Sequence, residues 1–275
     1  MNQLLKTSIL TFALIFIFAI PSYSLDLKNS PEDCTFIINN INDEQKKELA
    51  YYYRGQHYLD NGDFVKAISD FTESIKRAKT KGALEESYYY RGLSYFNMEN
   101  FEKAIPDFTQ SINNSVDNPD SQTESYMYRG RSFLMIENYD MAIKDSSIVI
   151  QRGYADKEDW AYPAYYTQGM ANKELKNYKT AVSDLTKFIL YEQNNLRDPD
   201  VILQVGDAYF HRAHTKIVAG FINSNEDILS IIDDIEKSIK TYSLLNNPVA
   251  NEKRKLVSQF LNEVKAALNK WRLKM

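Results

Sequence analysis

The sequence predicts an all-α fold, a solenoid in which antiparallel helix pairs stack along the chain. A three-residue motif recurs four times, and the glycine that ends it returns after 37, 38 and 39 residues. The motif copies are Tyr53-Arg54-Gly55, Tyr90-Arg91-Gly92, Tyr128-Arg129-Gly130 and the altered Thr167-Gln168-Gly169. An alanine follows each glycine after twelve residues, as Ala67, Ala104, Ala142 and Ala181. A repeat of this length is typical of stacked supersecondary units, which present binding surfaces rather than catalytic pockets.

The first 24 residues predict a secretory signal peptide rather than a part of the fold. Lys6 precedes an uncharged, mostly apolar run from Ser8 to Ile20, and Pro21 separates that run from small residues that favour cleavage after Ser24. We therefore expect an exported protein, periplasmic or secreted, in which residues 25–43 lead into the repeats. An uncleaved membrane anchor is the alternative, but an apolar run of 13 residues is short for a bilayer span.

Composition narrows the classes of function. Hydrophobic residues make up 44% of the chain, and 9 glycines and 7 prolines are too few for a disordered protein. The net charge is −4, and basic residues concentrate in 252–275, where seven accompany two acidic ones. The remaining body is acidic, which disfavours nucleic acid as a partner. Cys34 is the single cysteine, so an internal disulfide is excluded while pairing with another chain stays open.

The first repeat shows how each unit folds. Asn42 or Asp43 can cap a helix over about 44–60, and Asn61-Gly62-Asp63 is a turn signal. A second helix follows, with apolar residues at spacings of three and four: Phe64, Ala67, Ile68, Phe71 and Ile75. A glycine inside a helix costs about 1 kcal/mol relative to alanine. Its recurrence in the motif therefore predicts a close approach of the two helices at Gly55.

This pattern resembles the tetratricopeptide repeat, an antiparallel helix pair whose copies stack into a superhelix. The match rests on the motif glycine, on the alanine of the second helix and on an aromatic residue that opens the first helix as Tyr51, Tyr88, Tyr126 and Tyr165. It covers about residues 44–190. The resemblance implies a right-handed superhelical solenoid with four clear repeats. It also implies a non-catalytic protein that binds a protein or peptide partner and needs no cofactor.

A fifth, degenerate repeat is predicted beyond the four clear ones. Residues 232–239 overlay residues 68–75 of the first repeat, and Gly206 stands 37 residues after Gly169. If Gly206 is the motif glycine, 13 extra residues separate the two helices, around 220–227. The predicted solenoid therefore runs over 44–245 and contains an insertion that is a candidate for specific recognition.

Residues 246–275 predict a basic amphipathic helix that caps the solenoid. Its apolar stripe comprises Val257, Phe260, Leu261, Val264, Leu268 and Trp271. The last unit of a solenoid needs a cover with a polar outer face, and this helix supplies one. Docking of the helix on an anionic membrane surface is the less favoured alternative.

The motif arginines predict a structural contact. Arg54, Arg91 and Arg129 each stand sixteen residues before an aspartate, namely Asp70, Asp107 and Asp145. The two helices of a repeat bring such positions to the same level, so we expect one ion pair in each repeat. We expect these pairs to be partly exposed and worth about 0.2–1 kcal/mol. The fourth repeat keeps Asp184 but carries Gln168, which weakens the pair there.

The partner-binding groove is implied by the resemblance, since first-helix residues at fixed offsets from the motif glycine line the concave face of tetratricopeptide proteins. The residues at those offsets are Tyr52, Gln56, Tyr89, Leu93, Phe96, Met127, Arg131, Met135, Tyr166, Met170, Asp207 and His211. Aromatic residues and methionine favour an apolar peptide or protein segment. Packing between neighbouring helices is the alternative role for each of them. Arg131 is the one cationic match to the carboxylate-clamping subfamily, so a carboxylate clamp is disfavoured.

One constellation indicates a different class of function, a zinc-dependent enzyme or metal-binding protein. Asp207, His211 and His214 are spaced i, i+4 and i+7 on a predicted helix, and both residue types bind zinc. A structural zinc site usually needs a fourth ligand, so solvated groove residues are the preferred interpretation. We therefore expect no metal site and no catalytic residue. The identity of the partner and the oligomeric state do not follow from the sequence.

Overall fold

Every regular element of the described chain is an α-helix, as predicted. The computed structural model describes residues 26–115, 119–156 and 161–272, so the predicted signal peptide at 1–24 lies outside the described residues. The chain divides after Ala78 into a first unit and a second unit, which begins at Lys79. The helices are α1 (Pro31–Asn40), α2 (Glu44–Asp60), α3 (Phe64–Arg77), α4 (Lys81–Asn97), α5 (Phe101–Asn114), α6 (Pro119–Met135), α7 (Tyr139–Asp156), α8 (Ala161–Glu174), α9 (Tyr178–Glu192), α10 (Pro199–Val218), α11 (Asn225–Tyr242) and α12 (Pro248–Arg272).

Ten of these helices form five consecutive pairs, and each pair is one repeat. The pairs are α2–α3, α4–α5, α6–α7, α8–α9 and α10–α11. In the first four pairs a turn of three residues reverses the chain, so the two helices pack side by side in opposite directions. The repeat architecture predicted from the spacing of the motifs is therefore confirmed.

The first unit contains one helix that the sequence prediction missed. A lead-in was all that the sequence predicted over 25–43, yet α1 forms there. Ser30 caps α1 with its side chain, and Pro31 fits the first turn, where the missing backbone N–H would have no partner in the helix. α1 packs on α2, and the buried residues of this contact are Cys34, Ile37 and Ala50.

Burial makes Cys34 an unreactive thiol. The residue is fully buried, its sulfhydryl donates to the Leu27 carbonyl oxygen over 3.3 Å, and burial raises the pKa of the thiol to about 11. A disulfide with another chain would require α1 to separate from α2. The folded first unit therefore disfavours the intermolecular pairing that the sequence left open.

In four of the five pairs, an arginine on the first helix forms a bidentate ion pair with an aspartate on the second helix. In the first unit, Arg54 Nε and Nη2 donate to the two carboxylate oxygens of Asp70 over 2.7 and 2.8 Å. We call this bidentate contact the Arg–Asp clasp. The predicted clasps of the second and third repeats are also present, as Arg91–Asp107 and Arg129–Asp145.

The clasps are more buried than the sequence predicted. The aspartates keep 4% of their surface exposed at Asp70 and Asp107 and none at Asp145. Removing the arginine would leave an unpaired charge in the interior, which costs about 3–5 kcal/mol. The contribution of about 0.2–1 kcal/mol expected for each partly exposed ion pair is therefore too small for these buried clasps.

The clasps of Arg54, Arg129 and Arg212 also contact the helix that precedes their pair. Arg129 Nη1 donates to Thr109 Oγ1 on α5 over 3.0 Å. In the first unit, Arg54 Nη1 donates in the same way to Thr35 Oγ1 on α1 over 3.1 Å. α1 therefore supplies the contact that the second helix of a preceding repeat supplies elsewhere.

The fifth pair has a register different from the predicted one. Arg212 Nε donates to Asp234 Oδ2 over 3.0 Å, and Arg212 Nη1 donates to Thr186 Oγ1 over 3.1 Å, so these residues form the fifth-repeat clasp. Ala213 is fully buried and takes the place of the motif glycine. α10 ends at Val218, five residues after Ala213, as the first helices of the other repeats end five residues after their glycines.

The turns and the clasp spacing give the same register. We take the motif glycine as the reference residue of the first four pairs and Ala213 as that of the fifth. In every pair, a residue with positive φ stands seven positions after the reference residue: Gly62, Glu99, Glu137, Lys176 and Gly220. Arg212 and Asp234 are 22 residues apart, against 16 for the other clasps, so the insertion has six residues and the predicted 13 is wrong. Gly206 is small for another reason, because a Cβ there would lie 2.5 Å from the Tyr242 ring.

α12 covers the end of the fifth pair, in agreement with the predicted cap. Four residues of the predicted stripe pack against α10 and α11: Val257, Phe260, Leu261 and Val264. Because packing occupies this stripe, the structure favours the cap over the membrane-docking alternative. The side chain of Trp271 lies outside the described residues. Within the described ranges, no helix has both the length and the apolar character of a membrane span.

Candidate partner-binding face

The first helices of the second unit adjoin one another and form a continuous surface. α4 contacts α6, α6 contacts α8, and α8 contacts α10. Between α4 and α6, the Tyr89 and Phe96 rings both meet the Tyr128 ring, at centroid distances of 6.1 and 5.3 Å. We call this surface the first-helix face. Helical spacing assigns to it Tyr89, Leu93, Phe96, Met127, Arg131, Met135, Tyr166, Met170, Lys173, Phe210 and His214.

At α4, the face is largely packed. The Tyr89 ring lies 6.1 Å from the Phe108 ring, and its hydroxyl donates to the Glu124 carboxyl. Burial, with the neighbouring Glu124, raises the pKa of Tyr89 far above its usual value, and burial raises the pKa of Glu124 as well. Leu93 is half-buried. Tyr89 therefore has the packing role that the sequence left as the alternative.

On α6, the face has an exposed methionine, Met135, beside a half-buried arginine, Arg131. The Arg131 guanidinium lies 5.2 Å from the Phe96 ring centroid and 5.8 Å from the Tyr128 ring centroid. Within the described part of the chain, Arg131 makes no hydrogen bond or ion pair. Met135 exposes 58% of its surface. An arginine held by aromatic rings keeps its planar set of N–H donors available to a partner.

α8 adds apolar surface and one cation next to α6. The Tyr166 ring packs on Phe188 at a centroid distance of 5.2 Å, and burial with the nearby Asp207 charge raises the pKa of Tyr166 above its usual range. Met170 packs against the core between α8 and α9. Lys173 forms an ion pair with Glu174 over 2.7 Å. The α8 part of the face is therefore mainly apolar.

Asp207 is engaged within the protein, which corrects its prediction as a groove residue. Tyr242 Oη donates to Asp207 Oδ1 over 2.5 Å, and Lys253 Nζ donates to the same oxygen over 2.6 Å. These contacts join α10 to α11 and α12. The carboxylate is a structural link between three helices rather than a group offered to a ligand.

The two histidines of α10 occupy different environments. With Ala213 as reference, His211 takes the position of Tyr53, and burial lowers the pKa of His211 to about 4. Its prediction as a groove residue is wrong because it depended on Gly206. His214 takes the position of Arg131 on the face, and its ring packs against Phe260 at a centroid distance of 6.1 Å.

The arrangement around α10 gives no support to the zinc alternative. In the described ranges, no group of three His, Cys, Asp or Glu side chains is placed to hold a metal ion. Asp207 already accepts hydrogen bonds from a tyrosine and a lysine. The i, i+4, i+7 spacing therefore places the three residues on one helix without making them a ligand set.

The first unit contains the remaining two predicted groove residues. Gln56 Nε2 donates to Tyr52 Oη over 2.9 Å. Tyr52 is 8% exposed, and its ring meets Phe71 at a centroid distance of 6.3 Å. Tyr52 is thus another residue with the packing role.

The sequence prediction omitted Phe210 and His214 from the face. A signal for them was present, since Tyr209 and Arg212 repeat the spacing of Tyr51 and Arg54. In both pairs the guanidinium lies over the tyrosine ring, at 5.5 and 5.6 Å from the centroid. The sequence analysis did not detect this spacing because Ala213 replaces the motif glycine after Arg212.

Comparisons with known proteins agree with this architecture. The sequence model of the tetratricopeptide repeat matches residues 85–115 and 162–195, which cover most of the second and fourth helix pairs. No curated protein matches the chain at the level of sequence. These two segments thus match the tetratricopeptide repeat, and the chain has the fold of solenoids built from such repeats.

Three solved structures illustrate the likeness of fold. A fragment of MamA from Desulfovibrio magneticus is 16% identical with a TM-score of 0.55, over 73% of this chain and 98% of its own. YrrB, described as a TPR protein with an unusual peptide-binding site, is 16% identical with a TM-score of 0.54, over 82% and 100%. BtubC from P. vanneervenii is 14% identical with a TM-score of 0.60, over 81% and 92%.

Proposed function

We propose that the protein is an exported, non-catalytic interaction module that binds a peptide or protein segment on the first-helix face. The observation that carries this proposal is the pair Arg131 and Met135. Arg131 offers a guanidinium that rings hold in place and that no described group uses, and Met135 exposes most of its side chain beside it. YrrB, which has a similar fold, is described as having a peptide-binding site, and this supports a binding role for a repeat array of this kind.

The side chains of the face favour an apolar partner segment with hydrogen-bond acceptors. Met127 and Met135 are unbranched and flexible, so they adapt to apolar groups of varied shape. Arg131 adds a rigid set of donors that can fix the orientation of a bound segment. Export rests on the apolar run after Lys6 and on the small residues that precede Leu25.

The test is a pull-down from the exported fraction with two double variants. Arg131→Ala with Met135→Ala alters the face. Lys179→Ala with Leu190→Ala is the matched control, because it removes one cation and one apolar residue that is 61% exposed on α9. We expect the control to retain the partner and the face variant to reduce its recovery by about tenfold.

Two outcomes would contradict the proposal. Equal recovery by the two variants would place partner binding outside the first-helix face. The export part has a separate readout, N-terminal sequencing of the protein from fractionated cells. A first residue at Leu25 in the exported fraction is expected. An intact Met1 on protein confined to the cytoplasm would contradict export.

A further inference from the structure

An open cavity lies between the fifth helix pair and α12, and none of its described lining residues belongs to the first-helix face. Its volume is about 660 Å³. Sites for small molecules typically have about 300–1,000 Å³. We call this cavity the turn cleft. The described residues that line it are Ile217, Ile222, Asn223, Ser224, Asn225, Ile228, Val264, Ala267 and Leu268.

The turn cleft results from the six extra residues of the fifth repeat. Three of them lengthen the turn, which runs over 219–224 here and over 61–63 in the first repeat. The other three lengthen the second helix, since α11 begins nine residues before Asp234 while α3 begins six residues before Asp70. The longer turn and helix form one wall, and the last turns of α12 form the other.

The lining has an aliphatic body and one polar end. Apart from Asn225 at the start of α11, the side chains from α10, α11 and α12 that line the cleft are aliphatic, as is Ile222, and no described lining residue is ionisable or aromatic. The polar residues are consecutive, with Asn223 and Ser224 at the end of the turn and Asn225 at the start of α11. In the described part of the chain, the side-chain amides of Asn223 and Asn225 make no hydrogen bond. They are therefore available to a polar group of a ligand.

The charges at the polar end disfavour an anion. Asp227 accepts hydrogen bonds from the Asn223 and Ser224 backbone amides, which together with the Ser224 hydroxyl lower its pKa and keep it ionised. Ser224 and Asp227 form a capping box, in which the backbone amides of these two residues each donate to the other's side chain. Glu226, which is exposed, adds a second carboxylate in the first turn of α11. An anionic group at this end would meet the negative charges of Asp227 and Glu226.

We propose that the turn cleft binds a single-chain aliphatic amphiphile with an uncharged polar end. The aliphatic chain would lie against the isoleucines of α10 and α11 and against Val264 and Leu268 of α12. The polar end would meet the amides of Asn223 and Asn225. This site is independent of the first-helix face, so its failure and that of the proposed function are separate results.

The test measures binding of the uncharged fluorophore N-phenylnaphthylamine to the purified protein. Three competitors with the same alkyl chain then compare the head groups: dodecanol below its solubility limit, and dodecanoate and dodecyltrimethylammonium below their critical micelle concentrations. We expect dodecanol to displace the fluorophore at about tenfold lower concentration than dodecanoate. Equal or better competition by dodecanoate, or better competition by dodecyltrimethylammonium, would overturn the uncharged polar end.

Two variants locate the fluorophore. Ala267→Phe fills the cleft from an exposed position, so it leaves the core intact. Ala266→Phe is the matched control, since Ala266 is also exposed on α12 but does not line the cleft. We expect Ala267→Phe to weaken fluorophore binding by about tenfold or more and Ala266→Phe to leave it within about twofold. No binding, an unaffected Ala267→Phe variant, or equal loss in both variants would overturn the site. Circular dichroism verifies that each variant is folded.

Discussion

The third and fourth repeats bury the same aspartate with different partners. Asp145 receives two hydrogen bonds from Arg129, over 2.7 and 2.9 Å. Asp184 has one described hydrogen bond, from Asn172 Nδ2 over 3.2 Å, and burial raises the pKa of Asp184 to about 6. The comparison shows that the second helix of a repeat can bury an aspartate with or without an arginine partner. Whether the buried carboxylate stabilises the fold depends on that arginine.

Gln168 shows that the clasp has two separable parts. Its Nε2 donates to Ser147 Oγ over 2.7 Å. Ser147 stands two residues after Asp145, just as Thr109 stands two residues after Asp107. The fourth repeat thus keeps the contact with the preceding repeat and loses the ion pair within the repeat. The link between neighbouring repeats therefore does not require the charge.

The largest effect is expected for Asp145→Asn. This change replaces one acceptor oxygen by a donor that faces the Arg129 guanidinium, and it leaves a partly buried arginine without its counter-charge. The free energy of unfolding should fall by about 3–5 kcal/mol. Urea unfolding near neutral pH, followed by circular dichroism, measures this loss.

The control for Asp145→Asn is the same substitution one repeat later. Asp184→Asn removes a carboxylate of equal size and similar burial that has no arginine. The comparison fails if both substitutions lower stability by the same amount, because the arginine would then make no difference.

Asp184→Asn should stabilise the protein at about pH 8, by about 1–3 kcal/mol. The pKa of Asp184 is raised to about 6 in the folded protein from 3.8. An acid with a raised pKa favours the folded state when protonated, so the unmodified protein gains stability as the pH falls through about 6 towards about 4. The amide at residue 184 can still accept from Asn172 without carrying a charge.

The measurement for Asp184→Asn is a series of urea unfolding curves from about pH 8 to about pH 4. The stability difference between the variant and the unmodified protein should shrink over this range, because protonation removes the same charge that the substitution removes. A difference that does not change with pH would show that Asp184 is not the titrating group.

Spacing alone predicts the clasps of the first three repeats and fails for the fifth. In each of the first three repeats, the arginine and the aspartate of the clasp are sixteen residues apart. This stretch contains the end of the first helix, a three-residue turn and the start of the second helix. In the fifth repeat, six extra residues separate Arg212 from Asp234, and an alanine replaces the glycine. Gly206 stands at the spacing expected for a motif glycine, but its lack of a side chain makes room for the Tyr242 ring. No sequence pattern indicates that contact.

The first-helix face was predictable as a set of positions but not as a surface. Tyr89 and Met135 fit the same groove pattern, yet Tyr89 packs among rings from two other helices while Met135 stays exposed. Asp207 is held by Lys253, which is 46 residues away on α12. Accessibility depends on such long-range contacts, and residue spacing within one helix contains no information about them.

Gln168→Arg should complete the missing clasp and have the smallest effect on stability. An arginine at residue 168 has Asp184 sixteen residues further on and Ser147 as an acceptor in the preceding repeat. The net gain at about pH 8 should stay below about 1 kcal/mol, because desolvation of the guanidinium offsets most of its attraction to the carboxylate. The pH dependence is the sharper readout. The new ion pair should lower the pKa of Asp184 from about 6, so the gain in stability on acidification should disappear.

The matched control is Gln168→Met, which removes the hydrogen bond to Ser147 and adds no charge. It should retain the titration near pH 6 that Gln168→Arg abolishes. If Gln168→Arg also retains this titration, the arginine does not reach Asp184. In that case the raised pKa of Asp184 would not result from the missing arginine. The hydrogen bond from Asn172 would then fix the position of the Asp184 carboxylate.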